Sequence, residues 1–266
     1  MHVTLDDGSA LHFEQRGNGP LLVLLNGMSQ TTANWRSQVR PLSEHFSVIS
    51  YDARGQGKTP LGDRPLTLEQ HVSDLHQLLD VALDHANQQT VILCGFSHGA
   101  RVALGYAAAH PARVGRLALT SIGTNDDVMR DTITRGWVAI LDAGGLPAMA
   151  WATLPQILGR SFLTANHKHL DAMVKATEQR NTPEGLRALV VSLRAFPPPI
   201  DDARAVQVPT MLMTSNDDLL VAPESAAALA AAFTKCDHRV VSDSGHTIPI
   251  EQPDVWRATL LSFLRP

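Results

Sequence analysis

Several functional signatures are missing from this chain. It has two cysteines in 266 residues, Cys94 and Cys236, too few for a disulfide framework. Cys94 lies inside an apolar run and reads as a small buried hydrophobe, so a reducing cytosol is the expected compartment. Neither sign of charge is in excess: the formal net charge is −4. That excludes the strong basic field of a nucleic-acid or anionic-membrane binder. No uninterrupted apolar run approaches the ~20 residues of a bilayer span. The first residues, Met1 to Asp7, lack both a basic segment and a long apolar core, which predicts no signal peptide. There is no internal repeat, and the alanine-rich stretch 226–232 is simply a good helix former.

Metal and nucleotide signatures are incomplete as well. His167 and His169 are two apart, a spacing that puts their rings on different helix faces. Gly55 and Gly57 lack the third glycine, and the helix directly after it, of a dinucleotide fingerprint; they predict a tight turn. The pairs Asp126-Asp127 and Asp201-Asp202 read as loop and hinge carboxylates. No metal and no cofactor is expected.

What is present is an alternation of strand and helix. With 266 residues and 44% hydrophobic content, the chain suits one large α/β domain or a domain with an insertion. Residues 2–5 and 10–16 predict a hairpin around Asp7-Gly8. Residues 21–25 are a continuous apolar run, as in a strand buried on both faces. A helix over 35–44, a strand over 46–51, a helix after Thr67, a strand over 90–94, a helix over 100–109 and a strand over 114–122 follow. Thr67 and Gln70 predict a capping box, and the helix they open is expected to bury Val72, Leu75, Leu79, Ala82 and Leu83. This rhythm argues for a mostly parallel sheet with crossover helices on both faces. From 125 to 199 there are helical stretches only, near 129–142, 146–158, 167–180 and 183–195. A strand over 208–214, a helix over 223–233, a strand over 238–242 and a helix over 252–264 complete the chain.

Between the strand at 90–94 and its helix stands Gly95-Phe96-Ser97-His98-Gly99, a serine at the apex of a sharp turn with glycine on both sides. Small flanks are required there, because larger side chains would meet crossing backbone. The turn lifts the Ser97 hydroxyl to a helix N-terminus, where free N–H groups favour developing negative charge. A serine needs a base and a group that orients the base. Asp217 and Asp218 follow the strand ending at Thr214, and His246 follows the last strand. In a parallel sheet such loops share one edge, and Ser, Asp and His stand in the chain order expected of this architecture. The elbow also places the N–H of His98, the residue after the serine, as an oxyanion donor.

These pieces resemble the α/β-hydrolase superfamily nearly end to end. The matching residues are Asn26-Gly27-Met28 with Trp35, Asp52-x-Arg54-Gly55-x-Gly57-x-Thr59, the elbow, the Asp218 loop, and Ser244-Gly245-His246 with Ile250-Glu251-Gln252-Pro253. The resemblance implies the α/β-hydrolase fold, with residues 1–124 and 200–266 as core and 125–199 as an inserted helical cap. It implies Ser97 as nucleophile and His246 as base. It favours Asp218 over Asp217 as the acid, because the family loop continues x-x-Val-x-Pro. It gives Met28 as the second backbone oxyanion donor, with Asn26 where the family usually has histidine. Asn26 and Ser29 are candidate substrate-binding residues, as are Trp137 and Trp151 of the cap, and the Asn26 side chain is also a candidate donor to its own loop. Other apolar candidates there are Met129, Ile140, Leu141, Met149, Ile157, Phe162 and Met173. The His98 side chain is expected to point sideways into the interface of cap and core.

The implied activity is a cytoplasmic serine hydrolase cleaving carboxylic esters of small to medium apolar substrates through an acyl-enzyme. Lactonase and C–C bond hydrolase are near variants. Thr31-Thr32-Ala33, Glu44-His45-Phe46 and Asn166-His167-x-His169 also resemble bacterial 3-hydroxyacyl-carrier acyltransferases, though those have Ser-Trp-Gly at the elbow. The Ser-His-Gly tripeptide resembles the elbow of cofactor-free dioxygenases, and a non-catalytic receptor on the same fold is a further alternative.

Overall fold

The computed structural model describes residues 1–124 and 128–265, so the Asp126-Asp127 pair lies outside the described residues. Eight strands form one sheet: β1 (His2–Thr4), β2 (Ala10–Arg16), β3 (Leu21–Leu25), β4 (Ser47–Tyr51), β5 (Val91–Phe96), β6 (Val114–Thr120), β7 (Thr210–Ser215) and β8 (Cys236–Val241). Their order is β1-β2-β4-β3-β5-β6-β7-β8. β2 runs antiparallel to β1 and β4, and every later pairing is parallel. The helices are α1 (Arg36–Leu42), α2 (Leu68–Ala86), α3 (His98–Ala109), α4 (Val128–Ile157), α5 (Arg160–Asn166), α6 (Leu170–Arg180), α7 (Pro183–Ala195), α8 (Ile200–Ala205), α9 (Pro223–Ala232), α10 (Ile248–Glu251) and α11 (Pro253–Leu264).

β3 shows why a continuous apolar run suits the sheet centre. Leu21, Val23 and Leu25 point to one face and join Leu75, Leu79, Val102 and Leu104 of α2 and α3. Leu22 and Leu24 point to the other and join Trp35, Leu42 and, from α11, Trp256 and Leu260. Period-two alternation therefore feeds two cores from one strand. Each such leucine is worth about 1.5–3 kcal/mol when fully buried.

α2 departs from its sequence reading in an instructive way. The Gln70 N–H donates to Thr67 Oγ1 at 3.1 Å, the first half of a capping box. The Gln70 side chain does not reach back. Its amide donates to Asp74 Oδ1 at 2.8 Å, because a carboxylate one turn ahead is a stronger acceptor. The buried stripe of α2 also holds two polar residues, His71 and Asp74. Asp74 receives Arg54 in two parallel hydrogen bonds of 2.9 Å, and Arg54 also reaches Asp7 at 2.7 Å. The Asp74 pairing holds the guanidinium above its ordinary pKa.

The stretch after β4 is a tight turn. Gly55 and Gly57 have φ of 79° and 57°, and a Cβ on Gly57 would stand 2.3 Å from Asp52 Oδ2. The Asp52 carboxylate takes the N–H groups of Thr32 at 2.7 Å and Lys58 at 2.9 Å, tying two loops together at the sheet edge.

Between β6 and β7 the described residues hold helices and no strand. α4 bends at Gly145, which has φ 74°. Its two limbs fold back far enough for Trp137 Nε1 to donate to Gln156 Oε1, nineteen positions on. By length and composition α4 could cross a membrane; bent in this way, it contributes Trp137, Leu146 and Met149 to a packed cluster with Leu186 and Val190 of α7. Three short helices, α5, α8 and α10, are absent from the sequence reading, because four to seven residues are too few to show a helical period.

Candidate active site

The loops after β3, β5, β7 and β8 meet at one edge of the sheet. The turn at Ser97 is sharp: φ is 51° and ψ is −113°, a sparsely populated region for a residue with a side chain. Two hydrogen bonds hold it there. The Ser97 N–H donates to Thr120 O at 2.9 Å, and its carbonyl accepts the Arg101 N–H at 3.1 Å. A Cβ on Gly95 would stand 2.5 Å from Ala100 Cα, and one on Gly99 would stand 2.3 Å from Leu25 O. Both glycines are therefore fixed by contact with backbone.

Ser97 Oγ lies 2.8 Å from His246 Nε2, and His246 Nδ1 lies 2.7 Å from Asp218 Oδ2. The other Asp218 oxygen accepts the N–H groups of Leu220 at 2.8 Å and Val221 at 3.1 Å. Asp218 is buried, whereas Asp217 is exposed to solvent. The two neighbours are thereby separated: one faces His246, the other faces water. With Nδ1–H held by the carboxylate, Nε2 is the acceptor turned to the serine.

The loop carrying His246 is fixed from several sides. The His246 N–H donates to Ile157 O at 2.9 Å, and its carbonyl accepts Ser121 Oγ at 2.7 Å. Ser215 Oγ donates to Ser244 O. Glu251 accepts four hydrogen bonds: Gly245 N–H at 2.9 Å, Thr247 N–H at 3.0 Å, Thr247 Oγ1–H at 2.9 Å, and Gly159 N–H at 2.7 Å. Phe96 packs on the His246 ring, with centroids 5.4 Å apart.

Met28 and Ser29 border the same cavity as Ser97 and His98. Neither the Met28 nor the His98 N–H donates to a protein acceptor among the described residues. Gly27 lies so close to Phe96 that a Cβ would be 2.5 Å from its ring. Asn26 does not border the cavity. It is buried under the loop, donating to Tyr51 O at 2.7 Å and Gln30 O at 3.3 Å and accepting the Trp35 indole N–H at 2.5 Å. Its full set of partners makes it a brace for the Met28 loop instead of a substrate contact.

The His98 ring turns away from the hydroxyl and packs on His71 of α2, with centroids 4.6 Å apart, and on Phe196 at the end of α7. Among the described residues His71 Nε2 has no hydrogen-bond partner, and the His98 ring has only a poorly aligned approach to the Asn26 backbone. Burial drives the His98 pKa well below its ordinary value, and the neighbouring His71 adds to this. Burial, with a contribution from Arg54, takes His71 down to about 4.

The cavity in front of Ser97 has a volume of about 270 Å³, and its walls are mostly apolar. Trp137, Met149, Ile157, Phe162 and Met173 line it, as expected of the helical section. Trp151 does not: it is 44% exposed on the outside of α4. Met129 is also exposed, and Ile140 and Leu141 pack within the helical layer. Polar lining residues that carry no signal in the sequence include Gln30, Asn34, Arg101, Arg130, Thr177 and Arg180. Arg180 only stands just before the Asn181-Thr182-Pro183 break.

Comparison with known proteins identifies the fold family. The family model described as alpha/beta hydrolase fold matches residues 20–253. A protein of Agrobacterium fabrum provisionally named carbamate hydrolase RutD is 26% identical, over 96% of this chain and 98% of its own. The pimeloyl-[acyl-carrier protein] methyl ester esterase of Nitrosospira multiformis is 26% identical, over 96% of this chain and 98% of its own. The solved enol-lactonase of Burkholderia xenovorans LB400 is 25% identical and superposes with a TM-score of 0.88 over 99% of both chains.

Proposed function

This chain belongs to the α/β-hydrolase family, and from that premise we propose that it cleaves carboxylic esters of small to medium, largely apolar substrates through an acyl-enzyme. It is a hydrolase of ester or related bonds. The finer reading rests on one observation above the rest: an unbroken hydrogen-bonded line from Ser97 through His246 to Asp218 that opens into a mostly apolar cavity.

Ser97 Oγ attacks the carbonyl carbon while His246 Nε2 takes its proton. Asp218 orients the ring and stabilises the imidazolium that forms. The carbonyl oxygen gains negative charge and is received by the Met28 and His98 N–H groups, at the positive end of α3. Loss of one such donor costs roughly 3–4 kcal/mol of barrier. The intermediate collapses, His246 gives its proton to the leaving alkoxide, and the ester bond breaks. Water then repeats the sequence on the acyl-enzyme. Carbamates and lactones offer the same attackable carbonyl and fit the same sequence. In this reading the helical section 125–199 serves as a cap, since α4, α5, α6 and α7 each supply residues to the cavity.

The test is turnover of p-nitrophenyl esters of increasing chain length by the wild type and Ser97→Ala. The expected result is hydrolysis by the wild type and a loss of about 10³-fold or more in the variant. No turnover of any ester by the wild type would contradict the reading. Transfer to an added alcohol or thiol in preference to water would favour an acyltransferase.

A further inference from the structure

The cavity in front of Ser97 differs in charge from the protein around it. The chain carries 26 acidic and 22 basic residues. Three arginines line the cavity, Arg101, Arg130 and Arg180, and no aspartate or glutamate does among the described residues. Asp218 and Glu251 lie close by but behind the His246 loop, with their oxygens engaged. The arginines are not equivalent. Arg101 is neutralised by Asp202 at 2.7 Å and also donates to Pro197 O at 3.1 Å. Arg130 donates to Leu193 O at 3.5 Å. Arg180 is exposed at the cavity margin, and its guanidinium makes no hydrogen bond or ion pair among the described residues.

Arg180 ends a helix that docks on a loop carrying two amide side chains. The next residue, Asn181, donates through its side chain to Ser29 O at 3.0 Å, which docks the end of α6 on the loop that carries Gln30. Gln30 and Asn34 line the same cavity. Each has its side-chain oxygen occupied from within its own loop: Gln30 Oε1 accepts the Gly27 N–H at 3.4 Å, and Asn34 Oδ1 accepts the Thr31 N–H at 3.0 Å. Their NH₂ groups are the ends left over, so both present donors. The cavity lining thus includes an unneutralised, exposed guanidinium and two amide side chains with donors to offer, in surroundings that are mostly apolar.

We propose that this part of the lining is an anion subsite, and that the preferred substrate is an ester whose apolar chain ends in a free carboxylate, as in a half-ester of a dicarboxylic acid. The proposal rests on the ester-hydrolase reading of the same site and narrows it. A carboxylate matches the flat guanidinium fork in two parallel hydrogen bonds. Arg180 is exposed at the end of α6, so solvent screens its field and the paired hydrogen bonds carry the preference. A neutral ester of equal length has no carboxylate to form them.

The experiment compares mono-p-nitrophenyl esters of C4 to C6 dicarboxylic acids with neutral p-nitrophenyl esters of the same chain length. The readout is the ratio of their kcat/KM values. In the wild type the ratio is expected to favour the half-ester by about twofold to fivefold, the range of an exposed ion pair. Arg180→Gln is expected to bring the ratio close to one, through KM more than kcat. Lys175→Gln, an exposed cation of the same helix that does not line the cavity, is expected to leave the ratio as it was. Raised salt should shrink the wild-type ratio. A wild-type ratio of one or less, or a preference that survives Arg180→Gln, overturns the proposal. A second measurement needs no turnover: calorimetric binding of monomethyl adipate and dimethyl adipate to Ser97→Ala, with and without Arg180→Gln. Tighter binding of the monoester that is lost with Arg180 supports the subsite, and equal binding of both esters overturns it. An inactive wild type that still binds the monoester through Arg180 contradicts the hydrolase reading alone.

Discussion

Asp218 uses its two oxygens for different purposes. One is held by the Leu220 and Val221 amides and fixes the carboxylate; the other faces His246 Nδ1 and fixes the ring. An asparagine in its place keeps the volume and offers an NH₂ group or a neutral oxygen to Nδ1, so the tautomer that leaves Nε2 free is no longer enforced. Asp218→Asn is expected to lower kcat by about 10³–10⁴-fold with KM within about threefold. Asp217→Asn, one position away and exposed, is expected to leave both unchanged, which steady-state kinetics on one ester will show. The sequence alone held both carboxylates in play. Burial separates them, and burial depends on how the loop after β7 packs under His246. Asn26 is a second case. Its place in a family motif suggested contact with substrate or a bond to its own loop, and its three partners, Gln30 O, Tyr51 O and the Trp35 indole, favour the second.

The element that links core and helical section is the loop from Ser244 to Glu251. Glu251 binds Gly245 and Thr247 within that loop and Gly159 at the end of α4, ninety-two positions away. This carboxylate thus acts with the His246 N–H bond to Ile157 O to hold His246 against the end of α4. Glu251→Ala leaves the Gly159, Gly245 and Thr247 N–H groups unmatched and is expected to cost about 2 kcal/mol of stability. It is also expected to lower kcat by about tenfold or more as Nε2 drifts from Ser97. Denaturant unfolding and ester kinetics measure the two effects, and a variant with normal kcat would remove Glu251 from any positioning role. Elements of this kind explain what could be read in advance. β3, β5, the elbow and the bend of α4 carry local signals: an apolar run, glycines at contact points, a glycine pair. The Glu251 tie and the cavity lining at Arg180 join residues remote in the chain, and only the fold brings them together.

Across the whole molecule, the buried histidine pair behind the elbow couples stability to pH. His71 has a folded pKa of about 4 against an ordinary value of 6.5, chiefly through burial. His98 is lowered as well. A group lowered in this way is neutral in both states above about pH 6.5, where its stabilisation is full. As pH falls from there toward 4, the unfolded chain takes up protons that the folded one refuses, and stability is lost. For His71 alone the loss is roughly 2 kcal/mol between pH 7 and pH 5. Urea unfolding at the two pH values should show a smaller difference in His71→Gln than in the wild type; identical differences would contradict this origin. The same scale sets the central claim, because four loops from separate strands must converge for Ser97 to act. The most direct measurement is covalent labelling of the native protein by a fluorophosphonate, followed by peptide mass mapping. One equivalent of label is expected on the peptide that contains Ser97, none in Ser97→Ala, and slow labelling in His246→Ala. Ester hydrolysis by a wild type that takes no label, or takes it at another residue, would contradict that claim.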